Sequence, residues 1–379
     1  MGKNIIYLDN AATTKADKRV VNEIEKYLVD EFGNPSSLHE IGERARRAID
    51  SAREKIAKEI NAKASEIYFT SGGTEANNIA IQGVALANED KKRNKIITSK
   101  IEHASVSNTC NYIKSAGYEI IEIPVDKDGI VDLGALKKEV DERTLLVSIM
   151  HVNNEIGTIQ PIKEIGKLCK EKGVLFHSDA VQSFGKLNID VKNMNIDLLS
   201  ASGHKINGPK GIGFLFVREG IKIKPLVYGG QQEKGLRSGT ENVPGIMGFA
   251  KALEIIKNLD KEKIRKLRDK FIGGLEKIGG KINGSKEKRI YNNINVSFNG
   301  IDAEMMVLYL SGEGIMVSTG SACQSKKKEE SKVLRALGLN EKESAGSLRI
   351  VLGEETTNKD IEYASVSYTH LTLPTIYSV

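Results

Sequence analysis

The stretch Asp197-Leu198-Leu199-Ser200-Ala201-Ser202-Gly203-His204-Lys205 runs a short apolar segment straight into a lysine. The segment predicts a strand inside a buried sheet, and the turn at Gly203 puts Lys205 at the strand's end. An ε-amine attacks a carbonyl only where burial or neighbouring cations lower its pKa, and the end of a buried strand is such a place. The chain holds 56 lysines and arginines. Most lysines are solvated, so the company of Lys205 decides its meaning.

Outward from that stretch, β-rich runs alternate with amphipathic ones. The runs at 66–70, 95–99, 119–124, 145–150, 174–179, 197–202 and 211–217 read as strands, and 74–86, 104–115 and 162–172 as crossover helices. This rhythm predicts an α/β fold, a mainly parallel mixed sheet with helices on both faces. Ahead of it, 18–29 and 40–60 have helical patterns joined by the turn Phe32-Gly33-Asn34-Pro35, and by pattern alone they read as an arm or a second domain. After Pro244 one long helical stretch reaches Ile278. Short strands at 295–298, 315–318 and 348–351 then alternate with helices at 302–310 and 333–337, which predicts a small α+β unit.

Bulk properties narrow the class. A chain of 379 residues exceeds one ordinary core, so two domains are expected. Hydrophobic residues make up 40% and charged residues 28%, an ordinary globular composition. No apolar run approaches the roughly 18 residues of a membrane span, and the stretch Ile5-Ile6-Tyr7-Leu8 is too short for a signal peptide. A cytoplasmic location is therefore expected. The three cysteines form no CxxC pair, which argues against a disulfide framework. Cys110 and Cys169 fall in helical patterns and read as packing residues. The net charge of +6 comes from lysines interleaved with acids, without the aromatic and basic pattern of specific nucleic-acid binding.

Pyridoxal 5'-phosphate needs a lysine, an acid for its ring nitrogen, an anion cradle and a group flat against its ring. Asp179 ends the run Val174-Leu175-Phe176-His177-Ser178-Asp179, although a carboxylate at a strand end also serves as a helix cap. The turn Ser71-Gly72-Gly73-Thr74 opens a helix and exposes backbone N–H groups at its positive end. Ser202, His204 and Thr240 offer further donors, and His103 starts a helix where it can stack on a ring. Cys323 sits among small residues in Ser321-Ala322-Cys323-Gln324-Ser325, with lysines at 326–328 that favour the thiolate. Arg349 suits either a carboxylate clamp or a structural ion pair. No metal site is expected.

These segments together resemble the NifS/IscS family of cysteine desulfurases, class-V aminotransferases with the fold type I architecture of PLP-dependent transferases. The resemblance runs in family order through YLDNAATT (7–14), FGNPSS (32–37), TSGGTEANN (70–78), TSKIEHASV (98–106), SIMHVNNEIGTIQP (148–161), FHSDAVQSFGK (176–186), SGHKINGPKGIG (202–213), GGQQEKGLRSGTENV (229–243), NVSF (295–298), STGSACQS (318–325), VLRALGL (333–339) and SLRIVLG (347–353). It implies that Lys205 takes the cofactor aldehyde, Asp179 pairs with the ring nitrogen, Gln182 contacts the ring hydroxyl and His103 stacks on the ring. It also implies that Gly73, Thr74, Ser202 and His204 hold the phosphate, with Thr240 reaching in from the other subunit of a homodimer. Asn154 and Arg349 are then the substrate carboxylate's partners. Cys323 becomes the sulfur-accepting nucleophile, on a loop longer than that of the SufS-like subgroup.

The implied activity converts L-cysteine to L-alanine and leaves a persulfide on Cys323 for a sulfur acceptor, in iron–sulfur cluster assembly or tRNA thiolation. Three other readings stay open: a selenocysteine lyase or other β-eliminating PLP enzyme, an aminotransferase, and a non-catalytic sulfur-relay protein on the same fold. The expected division is 15–250 for the large cofactor-binding domain, with 1–14 and 251–364 in the small domain that carries the Cys323 loop. The tail 365–379 departs from the family pattern. Rich in β-branched residues and without helical period, it reads as a non-native ending that leaves the small domain without its final helix.

Overall fold

A computed structural model describes residues 5–88, 92–319 and 331–376. In chain order the elements are β1 (Ile6–Tyr7), α1 (Lys18–Val29), α2 (Glu40–Glu59), β2 (Ile67–Thr70), α3 (Gly73–Ala87), β3 (Lys95–Ser99), α4 (Ala104–Ser115), β4 (Glu119–Ile123), α5 (Leu133–Glu139), β5 (Thr144–Ser148), α6 (Ile162–Lys172), β6 (Leu175–Asp179), β7 (Leu198–Ser202) and β8 (Gly213–Val217). There follow α7 (Val243–Ile256), α8 (Lys261–Lys277), β9 (Lys281–Ile282), β10 (Asn293–Ser297), α9 (Ala303–Gly312), β11 (Ile315–Met316), α10 (Lys332–Ala336), α11 (Glu341–Ala345), β12 (Ser347–Val351) and α12 (Asn358–Ile376).

Seven strands form one sheet in the order β2-β8-β7-β6-β5-β3-β4, in which only β8 runs against the others. Its strands are apolar on both faces because both faces are covered. Ile97, Val147, Phe176, Leu199 and Phe214 pack toward α1, α2, α6 and α7, while their neighbours Ile96, Leu146, Leu198 and Leu215 pack toward α3 and α4. Side chains alternate across a strand, so adjacent apolar residues need a helical layer on each side. An edge-to-face cluster of Phe184, Phe214 and Phe249, with centroids 4.9 and 5.7 Å apart, seats α7 on the sheet. This is the expected α/β architecture, a mainly parallel mixed sheet with helices on both faces.

The two helices read from pattern as an arm instead belong to this main core. Val20 of α1 and Ala45, Ile49, Ala52 and Ile56 of α2 are buried in the same cluster as the sheet residues. The amphipathic period of α1 and α2 was legible; the surface it faces was not. The long helical stretch expected after Pro244 is two helices, broken at residues 257–260, where Asp260 caps α8 through Lys263 N. Leu253 and Ile256 of α7 still pack in the main core.

A second antiparallel sheet, β12-β10-β9, lies with the parallel pair β1-β11 around a separate apolar cluster. Here the expectation that the small domain lacks its final helix is corrected. Residues 358–376 form one helix, and Tyr368 is fully buried against Phe271 and Phe298, at centroid distances of 5.8 and 6.2 Å. The apolar positions Ile361, Ala364 and Tyr368 recur at three and four residues, a period hidden by the β-branched residues around them. Among the described residues no helix is long and apolar enough to cross a membrane.

Two expectations can be measured. Tyr368→Ala removes a fully buried ring and should destabilise the chain by about 3 kcal/mol in urea unfolding; an unchanged midpoint would mean that α12 is not docked. The buried His177 bridges Ser148 Oγ at 2.8 Å and Ser200 Oγ at 3.0 Å across three strands, and burial pushes it down to about 3 and His151 to about 4. Both folded values lie below the ordinary histidine value of about 6.5, so the unfolded chain takes up these protons first. Their contribution is complete above about pH 6.5 and declines as pH falls toward 4, costing about 1 kcal/mol per histidine at pH 5.5. His177→Gln should shrink the difference in unfolding free energy between pH 7.5 and 5.5.

Candidate active site

Side chains at the carboxyl ends of parallel strands converge where helices begin, and open α/β sheets bind ligands there. Asp179 ends β6, Ser202 ends β7 and Thr70 ends β2, while His103 caps α4 just after β3. Lys205 lies in a short 3-10 turn directly after β7. Asp179 pairs with Ser200 in the β6/β7 register, so the lysine and the carboxylate leave adjacent strands at the same edge.

A strip of chain at residues 9–14 crosses this edge. The Lys205 amine donates to the carbonyls of Ala11 at 2.6 Å and Ala12 at 2.7 Å, and Gln182 Nε2 donates to the same Ala11 carbonyl at 3.0 Å. Thr13 Oγ1 lies 3.1 Å from His204 Nδ1, and Thr14 Oγ1 donates to the His204 carbonyl. The strip therefore brings Lys205, Gln182 and His204 together. Asp179 is held from two sides: Val181 N donates to Oδ1 at 2.9 Å and Asn77 Nδ2 to Oδ2 at 2.7 Å. An acceptor fixed in this way keeps further lone pairs for a ring N–H.

The start of α3 forms the anion end. Gly72 has φ +152°, outside the range side chains adopt, and a Cβ on Gly73 would overlap Val181 Cγ2. Only glycines let this helix terminus approach the Asp179 turn. Lysines gather around the turn that carries His204 and Lys205. The buried Lys186 is pushed down to about 7 by burial and then by Lys205 and Lys261; His204 is pushed down to about 4 by burial, then by Lys205, Lys210 and Lys186. Basic groups whose charged forms are disfavoured by burial and by one another suit a phosphate dianion, which would favour those forms, and an open helix terminus suits it too. The residues present fit pyridoxal phosphate, with amine, carboxylate and anion cradle at one sheet edge.

The expected substrate side is only partly assembled by the same criteria. Arg349 of β12 is buried; its guanidinium donates to Asp9 Oδ1 at 2.8 Å and to the Asn154 carbonyl at 3.4 Å. Its Nε has no hydrogen-bond partner among the described residues. Arg349 thus forms the structural ion pair and keeps a buried donor, and it adjoins the half-buried Asn154. Thr74 is exposed at the first turn of α3, and Thr240 is exposed on the loop after Arg237. Among the described residues no side-chain hydrogen bond joins Thr240 to the other site residues, though its loop is fastened to α3 by Arg237 Nε donating to Glu75 Oε1 at 2.9 Å. Cys323 lies outside the described residues. Cys110 and Cys169 are buried, and burial pushes their thiols up to about 12, as suits packing residues.

Four residues here were not singled out from the sequence. Asn77 bridges Asp179 and Ser105, Lys186 adds charge, and Asp9 pairs with Arg349. Glu102 accepts from Ser99 Oγ at 2.5 Å and Met150 N at 3.0 Å, and burial, with Asp179 nearby, pushes it up to about 8. Asn77, Lys186 and Glu102 stand inside glycine- or histidine-bearing motifs, but no spacing rule marks a buried amide or acid as part of a site.

Comparison with known proteins extends these observations over the whole chain. A family model described as aminotransferase class-V matches residues 6–364. "Cysteine desulfurase IscS" of Methanosarcina thermophila is 50% identical over 361 residues, covering 94% of this chain and 89% of that protein. A solved "NifS-like protein" superposes with a TM-score of 0.92 at 40% identity, over 97% of this chain and 99% of that one. The structure titled "SspA in complex with cysteine" superposes with a TM-score of 0.84 at 38% identity, over 93% of this chain and all of that one. Likeness of this extent, carried through both sheets and the edge between them, makes the chain a member of the class-V aminotransferase family, among its NifS/IscS-type cysteine desulfurases.

Proposed function

We propose that this chain is a PLP-dependent cysteine desulfurase that removes sulfur from L-cysteine, releases L-alanine and carries the sulfur on Cys323. The observation that carries the reading is the Lys205 amine at the end of β7, beside the β6 carboxylate Asp179 and bound to the strip 11–12. When bound, pyridoxal phosphate supplies a carbonyl for the substrate amine and a ring that accepts an electron pair. Lys205 Nζ would hold the cofactor, and its amine is the base placed to take the substrate α-proton. Asp179 would keep the ring nitrogen protonated, and Gln182 would contact the ring oxygen. His103 would lie against the ring, and Gly73, Thr74, Ser202 and His204 would hold the phosphate.

Arg349 and Asn154 orient the substrate carboxylate. The Cys323 thiolate attacks the substrate sulfur: a sulfur–sulfur bond forms, the carbon–sulfur bond breaks, and the β-carbon gains a proton as alanine leaves. Atoms balance without an external oxidant. Thr240, exposed on its loop, completes the phosphate site of the second copy in a homodimer. The sulfur then passes from a cytoplasmic enzyme to an acceptor or iron–sulfur scaffold protein. The division into 15–250 and 1–14 with 251–364 is supported by the separate main clusters of the two parts, with Leu253 and Ile256 of α7 in the first, Val152 in the second, and a small cluster joining Ile101, Met150 and Ile156 to Val333, Leu334 and Leu337.

Three variants test this. Lys205→Ala should lose the visible absorbance of the lysine-bound cofactor and at least a thousandfold in alanine production. Cys323→Ser should keep that absorbance and lose sulfide release; normal release from it would refute the role of Cys323 and favour the β-eliminating alternative. Arg349→Lys, which loses the planar fork, should raise KM for L-cysteine about tenfold with a smaller change in kcat.

A further inference from the structure

Asn77 of α3 is 1% exposed and lies under the site, touching neither Lys205 nor the glycine turn through any side-chain bond. Its amide nitrogen has two short contacts: 2.7 Å to Asp179 Oδ2 and 2.8 Å to Ser105 Oγ. We propose that Asn77 is a positioning residue whose amide ties Asp179 to Ser105 and, through Ser105, holds the proton of the His103 imidazole on Nε2. The proposal deepens the reading above, since it rests on Asp179 and His103 as the groups beside the ring.

The directions of the bonds follow from the acceptor at one end. An ionised carboxylate only accepts, so the group facing Asp179 Oδ2 is the NH2 of Asn77, and the orientation of the amide is settled. That NH2 has a second proton, which Ser105 Oγ receives. The Ser105 hydroxyl must then direct its own proton elsewhere, and its oxygen lies 2.8 Å from His103 Nδ1. The Ser105 backbone N–H also donates to His103 Nδ1, at 3.1 Å. A nitrogen that accepts from two donors carries no proton, so the neutral ring bears its hydrogen on Nε2. His103 thereby caps α4 with one nitrogen and offers a donor at the other.

The cost accepted elsewhere in Asn77 supports this role. Its carbonyl Oδ1 is buried and has no hydrogen-bond partner among the described residues. Buried acceptors are normally satisfied, so the amide is kept for its two N–H groups. Ser105 and Asp179 are 8% and 5% exposed, which leaves little water to replace a lost donor. Removing Asn77 frees the Ser105 hydroxyl to accept from the ring instead of donating to it.

The test uses the full chain with ¹⁵N-labelled histidine, with and without bound cofactor, and reads the tautomer of His103 from its long-range ¹H–¹⁵N correlations. The signal is assigned by its loss in His103→Gln. The parent should show the Nε2–H form alone. Asn77→Leu should move His103 toward the Nδ1–H form, to a tenth or more of the population, and Ser105→Ala should give a smaller shift because it leaves no hydroxyl to accept from Nδ1–H. A parent signal of the Nδ1–H form, or a signal identical in parent and Asn77→Leu, overturns the proposal. If Asn77→Leu does not fold, an unchanged signal in Ser105→Ala overturns it. The cofactor-free spectra keep this outcome separate from the reading of the enzyme, which fails instead if no cofactor binds.

Discussion

One carbonyl, that of Ala11, accepts from both Lys205 Nζ and Gln182 Nε2. It belongs to a short strip at residues 9–14 that is tied at both ends. At one end Asp9 pairs with Arg349 and bridges to Val351 of the small sheet; at the other Thr14 Oγ1 donates to His204 beside the large sheet. The strip is thus the seam between two apolar clusters, and the site lies along it. A buried ion pair contributes little net stability but is costly to break on one side, so the Arg349–Asp9 pair acts chiefly to fix where the seam runs.

Charge in the site is unbalanced in a way that only its ligands complete. Lys186, Lys205 and Lys210 surround His204, and of the three Lys186 is buried away from water. A phosphate dianion inverts this situation, turning mutual repulsion into shared attraction. At the opposite end burial, with the Asp179 charge adding to it, pushes Glu102 up to about 8. The site therefore presents one cationic end and one carboxylate, the polarity a ring with phosphate at one edge and a protonated nitrogen elsewhere calls for.

Much of this was legible in the residues. The seven runs from 66 to 217 are seven strands of one sheet, because a strand covered on both faces has to be apolar throughout and so announces itself. Lys205, Asp179 and His204 were singled out by strand ends and a glycine turn with a direct physical meaning, and Gln182 by resemblance alone. Failures arose where partners lie far away in sequence. The pattern of α1 and α2 gave amphipathic helices but not the α7 surface that buries them. Helix α12 was hidden by β-branched residues of low helix propensity, which packing of Ile361, Ala364 and Tyr368 overrides. Arg349 was ambiguous between clamp and ion pair until Asp9, distant in sequence, was seen beside it.

The sequence by itself determined the strands of the large sheet, the lysine, the carboxylate at the strand end and the family they belong to, because each is written in local pattern: period, turn and motif. Only the tertiary structure decided which groups share an acceptor, which buried cations repel and which side of the Asn77 amide faces Asp179. Those depend on distances between strands and helices that no local pattern encodes, since hydrogen bonds and charges act over a few ångströms of space and not along the chain.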